Sequence, residues 1–214
     1  MTNLPMRLTF FLSRKHARGD FEIRMFYPGK TESAVAFSKI DQALNLISTF
    51  DPRRYQQIKD DVKKILVFSA EPAAAQWIGG LRMCVLDKEY LFRADISPTE
   101  IAASIVHEAT HAHLERLGME YTEEARSRIE RICTESQIAF AKRLPEPGRS
   151  LEIAEWQLSL PESYWTNDEI QNRGLEALAD LGKTSRQARF FYPILKWLVA
   201  RRRSKPKRIG ELPE

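Results

Sequence analysis

A helix with both ends marked, spanning residues 97–118, is the strongest local signal in the chain. Ser97-Pro98-Thr99-Glu100 has the form of a capping box with proline at the first helical position, so a helix should begin there. Gly118 is well placed to end it. An apolar stripe recurs at helical spacing between these ends, formed by Ile101, Ile105, Ala109, Ala112 and Leu117. A helix of about five turns is therefore predicted.

This helix carries His107-Glu108-Ala109-Thr110-His111. Positions i and i+4 lie on one helix face, so both imidazoles can bind one metal ion. Neutral imidazole suits zinc, and two imidazoles leave room for a third ligand and a water. Glu108 lies beside them and can accept a proton from such a water. The alternative is a polar helix face that carries two histidines without a metal.

A third ligand is required, and the other histidines are poor candidates. His113 follows His111 by two residues and points about 200° around the helix, and His16 is distant in sequence. One extended form of the motif places a glycine three residues, and a histidine six residues, after the second histidine. This chain has Leu114 and Leu117 there, which excludes that form. A carboxylate from the next helix is the remaining choice.

Four glutamates of the next helix are candidates: Glu123, Glu124, Glu130 and Glu135. The first two follow the predicted N-cap Thr122, where acidic residues are favoured by the helix dipole. Glu135 is about 140° away from Glu130 around the helix. Glu130 lies at the edge of the apolar face, where a charge needs a partner such as a metal. It is the preferred ligand, with Arg126, Cys133, Thr134 and Gln137 as neighbours that can supply outer-shell contacts.

The sequence from about residue 65 to 144 resembles the gluzincin branch of the zincin metallopeptidases. The resemblance rests on H-E-A-T-H at 107–111, on Glu130 nineteen residues beyond His111, and on a predicted strand pair directly before the motif helix. The sequence of residues 105–111 also resembles that of a group of small bacterial metallopeptidases. Classical members carry Asp or another polar partner one turn past the ligand glutamate, where this chain has Thr134.

The resemblance implies a zinc-dependent hydrolase that cleaves peptide or protein substrates. His107, His111 and Glu130 would hold Zn²⁺, and Glu108 would act as general base and pass the proton to the leaving amine. A donor besides zinc is needed for the oxyanion, and Tyr121, Arg126 and Tyr164 are candidates from sequence position alone. Two other readings remain open. One is a zincin-shaped binding module without hydrolysis, and the other is an adaptor for membrane or nucleic acid.

That adaptor reading depends on the C-terminal end, because the basic charge is concentrated there. From Lys183 onward there are ten basic and two acidic residues, whereas the rest of the chain has 23 basic and 27 acidic ones. Aromatic and aliphatic residues are interleaved with cations over residues 189–208. This segment can be a core-packing helix with a solvated tail, an interfacial helix on anionic lipid, or a contact to nucleic acid.

Composition indicates a soluble, globular protein, and the predicted elements together with the zincin resemblance imply an α+β fold. We expect a mostly helical zincin-like domain over residues 1–144 with a small antiparallel or mixed sheet beside the motif helix. A C-terminal helical region should follow over residues 145–203, and a basic disordered tail over 204–214. No apolar run is long enough to span a membrane, and Cys84 and Cys133 are too few for a disulfide scaffold. A cytoplasmic location, peripheral at the inner membrane surface if the basic end binds lipid, is the simplest interpretation.

Apolar runs bounded by turn residues predict strands. These runs cover residues 7–13, 21–27, 65–68, 81–86 and 90–93, the last two joined by a hairpin turn at Asp87-Lys88. Caps and helical periodicity predict helices besides the motif helix over residues 38–50, 52–62, 122–143, 151–158, 166–181 and 185–203. Residues 73–76 are ambiguous.

Overall fold

The computed structural model describes residues 4–18, 21–26, 29–68, 73–166, 168–169 and 172. The chain divides into two compact units, Met1–Glu162 and Ser163–Glu214. Most of the helix predicted over 166–181, and all of residues 185–203 and 204–214, lie outside the described residues. Within the described residues, no helix combines the length and apolar character that a membrane crossing needs.

The first unit contains seven α-helices and five β-strands among its described residues. The strands are β1 (Arg14–Arg18), β2 (Phe21–Met25), β3 (Lys64–Phe68), β4 (Ala75–Ile78) and β5 (Met83–Asp87). The helices are α1 (Leu4–Phe11), α2 (Lys30–Phe50), α3 (Pro52–Asp61), α4 (Lys88–Phe92), α5 (Pro98–Arg116), α6 (Glu123–Ala141) and α7 (Gly148–Ser159). Short 3₁₀ segments cover Gly79–Leu81 and Glu162–Trp165.

The five strands form one mixed sheet in the order β1-β2-β3-β5-β4. The three inner strands are parallel, whereas β1 and β4 run antiparallel to their neighbours at the two edges. Every residue of β5 is buried, and so are the three central residues of β3, as expected for parallel strands covered on both faces. The predicted α+β fold with a small mixed sheet is confirmed.

Two apolar clusters cover the two faces of the sheet. The larger joins alternate residues of β2, β3 and β5 to α2, α3 and α5, with Ile40, Ile65 and Ile105 fully buried. The smaller lies on the opposite face, where Phe10 of α1 packs against Leu66 and Val85. The sheet therefore separates α1 from the helices that carry the H-E-x-x-H motif.

Helix α5 is the most enclosed helix of this unit. Its predicted capping box is present: Ser97 Oγ accepts from the Thr99 N–H, and Glu100 Oε2 accepts from the Ser97 N–H at 2.9 Å. Burial extends beyond the predicted stripe to Ala102, Ala103 and Val106. The cause is tertiary, since α5 packs against α2, α3, α6 and β4 at once. This packing fixes the orientation of the motif.

Two predicted strands are wrong. Residues 7–13 are not a strand, because α1 spans Leu4–Phe11 and inserts Phe10 under the sheet. A short apolar run suits either element, and only its packing decides between them. Residues 90–93 do not return as a strand either. Asp87 caps α4 by accepting from the Tyr90 N–H at 2.7 Å, so the chain turns into a helix instead of a hairpin.

The antiparallel partner of β5 is β4, which precedes it. The connection runs through the 3₁₀ segment Gly79–Leu81 and through Arg82, whose φ of 49° is left-handed. In this register Trp77 lies opposite Cys84. Of the ambiguous residues 73–76, the last two therefore begin the edge strand that borders α5.

Helix α7 belongs to the first unit, so the boundary predicted after residue 144 falls inside it. Glu100 joins the two helices, because its Oε1 accepts from the Arg149 N–H at 3.1 Å. Gly148 has a φ of 67°, and a Cβ there would lie 2.3 Å from Glu100 Oε1. Both requirements call for glycine at this position. The proline- and glycine-rich segment is thus a tight packing turn.

Candidate metal centre

The motif histidines lie side by side on α5 and face α6. Their ring centroids are 5.1 Å apart, as the i, i+4 spacing predicts. Glu130 of α6 approaches both rings: its Oε2 is 3.4 Å from His107 Nε2, and its Oε1 is 3.7 Å from His111 Nε2. All three side chains are largely buried, with 11–15% of each exposed.

The other three glutamates of α6 are exposed at its surface. Glu135 pairs with Arg131 at 3.1 Å, and Glu123 lies 3.3 Å from Arg126. Glu124 lies in the first turn, where the dipole explains an acidic residue. Of the four candidates, Glu130 alone lies within 4 Å of the motif histidines among the described residues.

The distances fit a tetrahedral metal ion. Bonds of about 2.0–2.1 Å from zinc to nitrogen or oxygen place neighbouring donors roughly 3.3 Å apart. The separations of 3.4 Å from Glu130 Oε2 to His107 Nε2 and of 3.7 Å from Glu130 Oε1 to His111 Nε2 are close to that length, although each involves a different oxygen of the carboxylate. Two imidazoles and a carboxylate also match the donor set of catalytic zinc sites. The residues present therefore fit Zn²⁺.

Hydrogen bonds orient the three donor groups. His107 Nδ1 lies 3.1 Å from Gln137 Oε1, and because an amide oxygen only accepts, Nδ1 carries the proton. The opposite nitrogen, Nε2, faces Glu130 at 3.4 Å, and loss of its proton would leave a lone pair for a metal ion. The Tyr121 hydroxyl donates to Glu130 Oε1, and its ring packs edge-on against His111, with centroids 5.5 Å apart. These contacts are of the kind that hold metal ligands in place.

The protonation states of Glu130 and His111 suit metal binding. Burial opposes ionisation of Glu130, but the hydrogen bond with His107 and the charges of both histidines outweigh it and lower its pKa to about 2. Burial lowers the pKa of His111 to about 4, and neighbouring His107 acts in the same direction. At neutral pH the pair therefore offers a carboxylate and a neutral imidazole, which are the ligand forms that metals require.

Glu108 lies next to the donor groups, but its surroundings shift its pKa in the opposite direction to that of Glu130. Burial raises its pKa to about 7, and the negative charge of Glu130 adds to this effect, while His107 and a hydrogen bond from the Trp77 backbone oppose it. A carboxyl group with its pKa near neutrality can both accept and return a proton. Strand β4 thus provides the backbone group that orients this carboxyl.

A cleft of about 590 Å³ opens beside His107 and Glu108. Its walls come from the segment entering β4, from α4, and from α5, α6 and α7. Apolar surface from Ala75, Ile96 and Ile153 alternates with charged groups such as Arg93 and Arg149. The proposed base therefore faces a volume that a substrate can occupy.

Sequence reasoning missed one donor. Cys133 of α6 is free and fully buried, and its sulfur and one nitrogen from each motif histidine lie within 4.8 Å of one another. We expected a small buried hydrophobic residue or an outer-shell neighbour. The available signal was its spacing, because Glu130 and Cys133 are three residues apart and share a helix face.

The three oxyanion candidates have different surroundings. The Tyr121 hydroxyl is engaged with Glu130, and Arg126 stacks over the Tyr121 ring at 4.9 Å. Arg126 Nε lies 3.3 Å from Glu123 without the alignment of a hydrogen bond. Tyr164 belongs to the second unit, where its ring contacts Trp165. The geometry gives Tyr121 and Arg126 a role around Glu130, and none of the three is shown to be an oxyanion donor.

Thr134 occupies the position where the gluzincin resemblance expects Asp or another polar partner. It is fully buried, and its hydroxyl oxygen has no hydrogen-bond partner among the described residues. Outer-shell contacts come instead from Tyr121 to Glu130 and from Gln137 to His107. The polar partner of Glu130 is thus Tyr121, nine residues before it.

Comparisons with known proteins leave the chain without a recognised relative. No family model, no curated protein and no solved structure matches it. The gluzincin resemblance therefore remains a prediction that rests on the motif and on the site described above.

Proposed function

We propose that this chain is a zinc-dependent hydrolase that cleaves peptide bonds. One observation carries the proposal: the Nε2 atoms of both motif histidines lie 3.4 and 3.7 Å from the two oxygens of one ionised, largely buried carboxylate. No Lys or Arg contacts this carboxylate among the described residues, where its partners are His107, His111 and Tyr121. A buried group of this kind needs a cation, and the donor types favour zinc.

In this proposal one group of residues binds the metal and Glu108 transfers the proton. His107, His111 and Glu130 would hold the metal, while Gln137 and Tyr121 orient His107 and Glu130. Bound zinc supplies a Lewis acid that makes its water a nucleophile near neutral pH. Glu108 would accept a proton from the attacking water and return it to the leaving amine. The Trp77 N–H keeps the carboxyl group of Glu108 directed at the site.

The cleft and the sheet edge favour an extended peptide as substrate. Residues 73–75 line the cleft and lead into β4, which ends the described sheet. The outer edge of such a strand offers N–H and C=O groups that an extended chain can bind. Residues 90–93, which we predicted as a strand, offer no such edge because residues 90–92 belong to α4.

The test combines metal content with hydrolysis. We expect near-stoichiometric zinc in the wild-type chain purified without added zinc, and its loss in Glu130→Ala. Glu135→Ala is the matched control, because Glu135 is exposed on the same helix and its ion pair among the described residues is with Arg131. Retention of full zinc by Glu130→Ala would contradict the ligand assignment.

Hydrolysis of a synthetic peptide library, read by mass spectrometry, tests the base. Glu108→Gln should keep its zinc and lose roughly 10²–10⁴-fold in rate, which is the usual contribution of a general base. Glu135→Gln should leave the rate unchanged. A wild-type chain that binds zinc but cleaves nothing would favour the zincin-shaped binding module instead.

The adaptor alternative rests on residues 189–208, which lie outside the described residues, and no structural observation favours it. For location we propose the cytoplasm. Cys84 and Cys133 are both buried and unpaired, which suits a reducing compartment.

A further inference from the structure

Helix α6 presents a second donor to the motif histidines. Glu130 and Cys133 are three residues apart, so both project from the face of α6 that packs on α5. The Cys133 sulfur and the two histidine nitrogens fall within 4.8 Å of one another. Cys133 and Glu130 therefore each lie close to the same two histidines, although a catalytic zinc site uses three protein ligands.

Packing keeps Cys133 at this place. The residue is fully buried against Leu114 and Ile129, beside the donor cluster. Among the described residues its thiol has no disulfide and no hydrogen bond. For zinc bonds of about 2.3 Å to sulfur and 2.0–2.1 Å to nitrogen, the ideal separation of the two donors is roughly 3.6 Å. A small side-chain movement closes the remaining gap.

We propose that Cys133 is a fourth protein ligand, and that it closes the metal centre when no substrate is bound. On coordination an S–metal bond replaces the S–H bond, and one proton is released to solvent. The metal keeps its charge and nothing is oxidised or reduced. The proposal rests on the metal centre of the proposed function and extends it to a latent state.

Coordination by Cys133 would therefore control whether water can reach the metal. With four protein ligands a tetrahedral zinc has no position for water, which is the arrangement of structural sites. Hydrolysis then requires Cys133 to leave the metal, whereas His107, His111 and Glu130 stay. The resting protein is therefore less active than one whose residue 133 cannot coordinate.

Cobalt(II) bound to the full-length chain gives a direct readout. Thiolate coordination to Co²⁺ produces an intense near-ultraviolet charge-transfer band, whereas imidazole and carboxylate ligands produce only weak visible d–d bands. The wild-type chain should show both. Cys133→Ser should lose the charge-transfer band and keep the d–d bands. Cys84→Ser is the matched control, because it removes the only other thiol, and it should retain both.

Two further measurements on the same variants, Cd²⁺ affinity and hydrolysis rate, test the proposal. Cys133→Ser should bind Cd²⁺ about tenfold or more weakly than Cys84→Ser does, because soft metals prefer thiolate ligands. It should also hydrolyse the peptide library faster than the wild type. If Cys133→Ser fails to fold, a charge-transfer band that persists in Cys84→Ser still assigns the thiolate to Cys133.

The outcomes separate the two proposals. A wild-type chain that binds Co²⁺ with d–d bands but without a charge-transfer band overturns the role of Cys133 and leaves the zinc centre intact. A wild-type chain that binds no Co²⁺ at all contradicts the proposed function, and the fourth ligand with it.

Discussion

Helix α5 places histidine–carboxylate contacts on two of its sides, and the two differ in chemistry. On the side of α6, His107 and His111 meet Glu130. On the side of α3, His113 Nδ1 lies 2.9 Å from Asp61 Oδ2. Both carboxylates are buried, at 13% and 1% side-chain exposure. Proximity of histidine to a carboxylate is therefore not enough to define a metal centre.

The difference is a permanent cation. Arg116 donates from Nε to Asp61 Oδ1, so the negative charge is already balanced by a guanidinium. Glu130 has histidines and a tyrosine as partners, and these do not supply a permanent positive charge. The cluster around Asp61 therefore fits a role in holding α3 to α5. The cluster around Glu130 leaves a negative charge for a metal to balance.

The largest expected effect separates the two clusters by metal affinity. His111→Ala removes a proposed ligand and should weaken Co²⁺ binding by about 100-fold or more, beyond the 10–100-fold that outer-shell changes produce. His113→Ala, two residues further on the same helix, should change it by less than about threefold. Titration followed by the visible absorption of Co²⁺ measures both. Equal losses would remove the distinction between the clusters.

The second effect is on stability. Asp61→Ala leaves His113 and Arg116 without their buried acceptor and should lower the free energy of unfolding by about 2 kcal/mol, the scale of a hydrogen bond to a charged group. Urea denaturation of the metal-free protein measures it. Metal affinity, determined in parallel, should stay at the wild-type level. An Asp61→Ala chain as stable as the wild type would show that this cluster does not hold α3 to α5.

A third, smaller effect tests the orientation of His107. Gln137→Leu removes the acceptor for its Nδ1 proton and should weaken metal binding by about tenfold, as other outer-shell substitutions do. Gln157→Leu is the control, because Gln157 also lines the cleft but lies on α7. Isothermal titration with Zn²⁺ is the measurement. A variant with wild-type affinity would mean that packing alone orients the ring.

The smallest effect concerns Arg116. Arg116→Gln should cost about 0.5–1 kcal/mol of unfolding free energy, because half of its side chain is exposed and water replaces the lost contact in part. Thermal denaturation at low and at high salt measures it, and the difference should shrink at high salt. A loss as large as that of Asp61→Ala would mean that Arg116 carries most of this cluster.

The sequence was enough to predict the motif helix and its partner. Both ends of α5 were marked by local chemistry, the capping box at Ser97 and the glycine at 118, and the i, i+4 spacing put both histidines on one face. Glu130 was preferred because a charge at the edge of an apolar face needs a partner. These predictions depend on neighbours within one or two helical turns, which the sequence shows directly.

The misassigned segments depended on contacts distant in sequence. Most of residues 7–13 form a helix because Phe10 packs under the sheet. Strand β1 was not predicted, because its charged sequence shows no apolar alternation. The sheet edge is β4 and not residues 90–93, since Asp87 caps α4. Local patterns were compatible with either outcome in these segments.

What the sequence determined by itself is the set of donors on one helix, because helical geometry repeats every 3.6 residues whatever surrounds it. Only the tertiary structure decided which groups meet them. The packing of α6 on α5 brought Cys133 as well as Glu130 to the histidines, and β4 brought a backbone N–H to Glu108. These contacts depend on the angles at which helices and strands pack against one another, and those angles are set by the complete packed core.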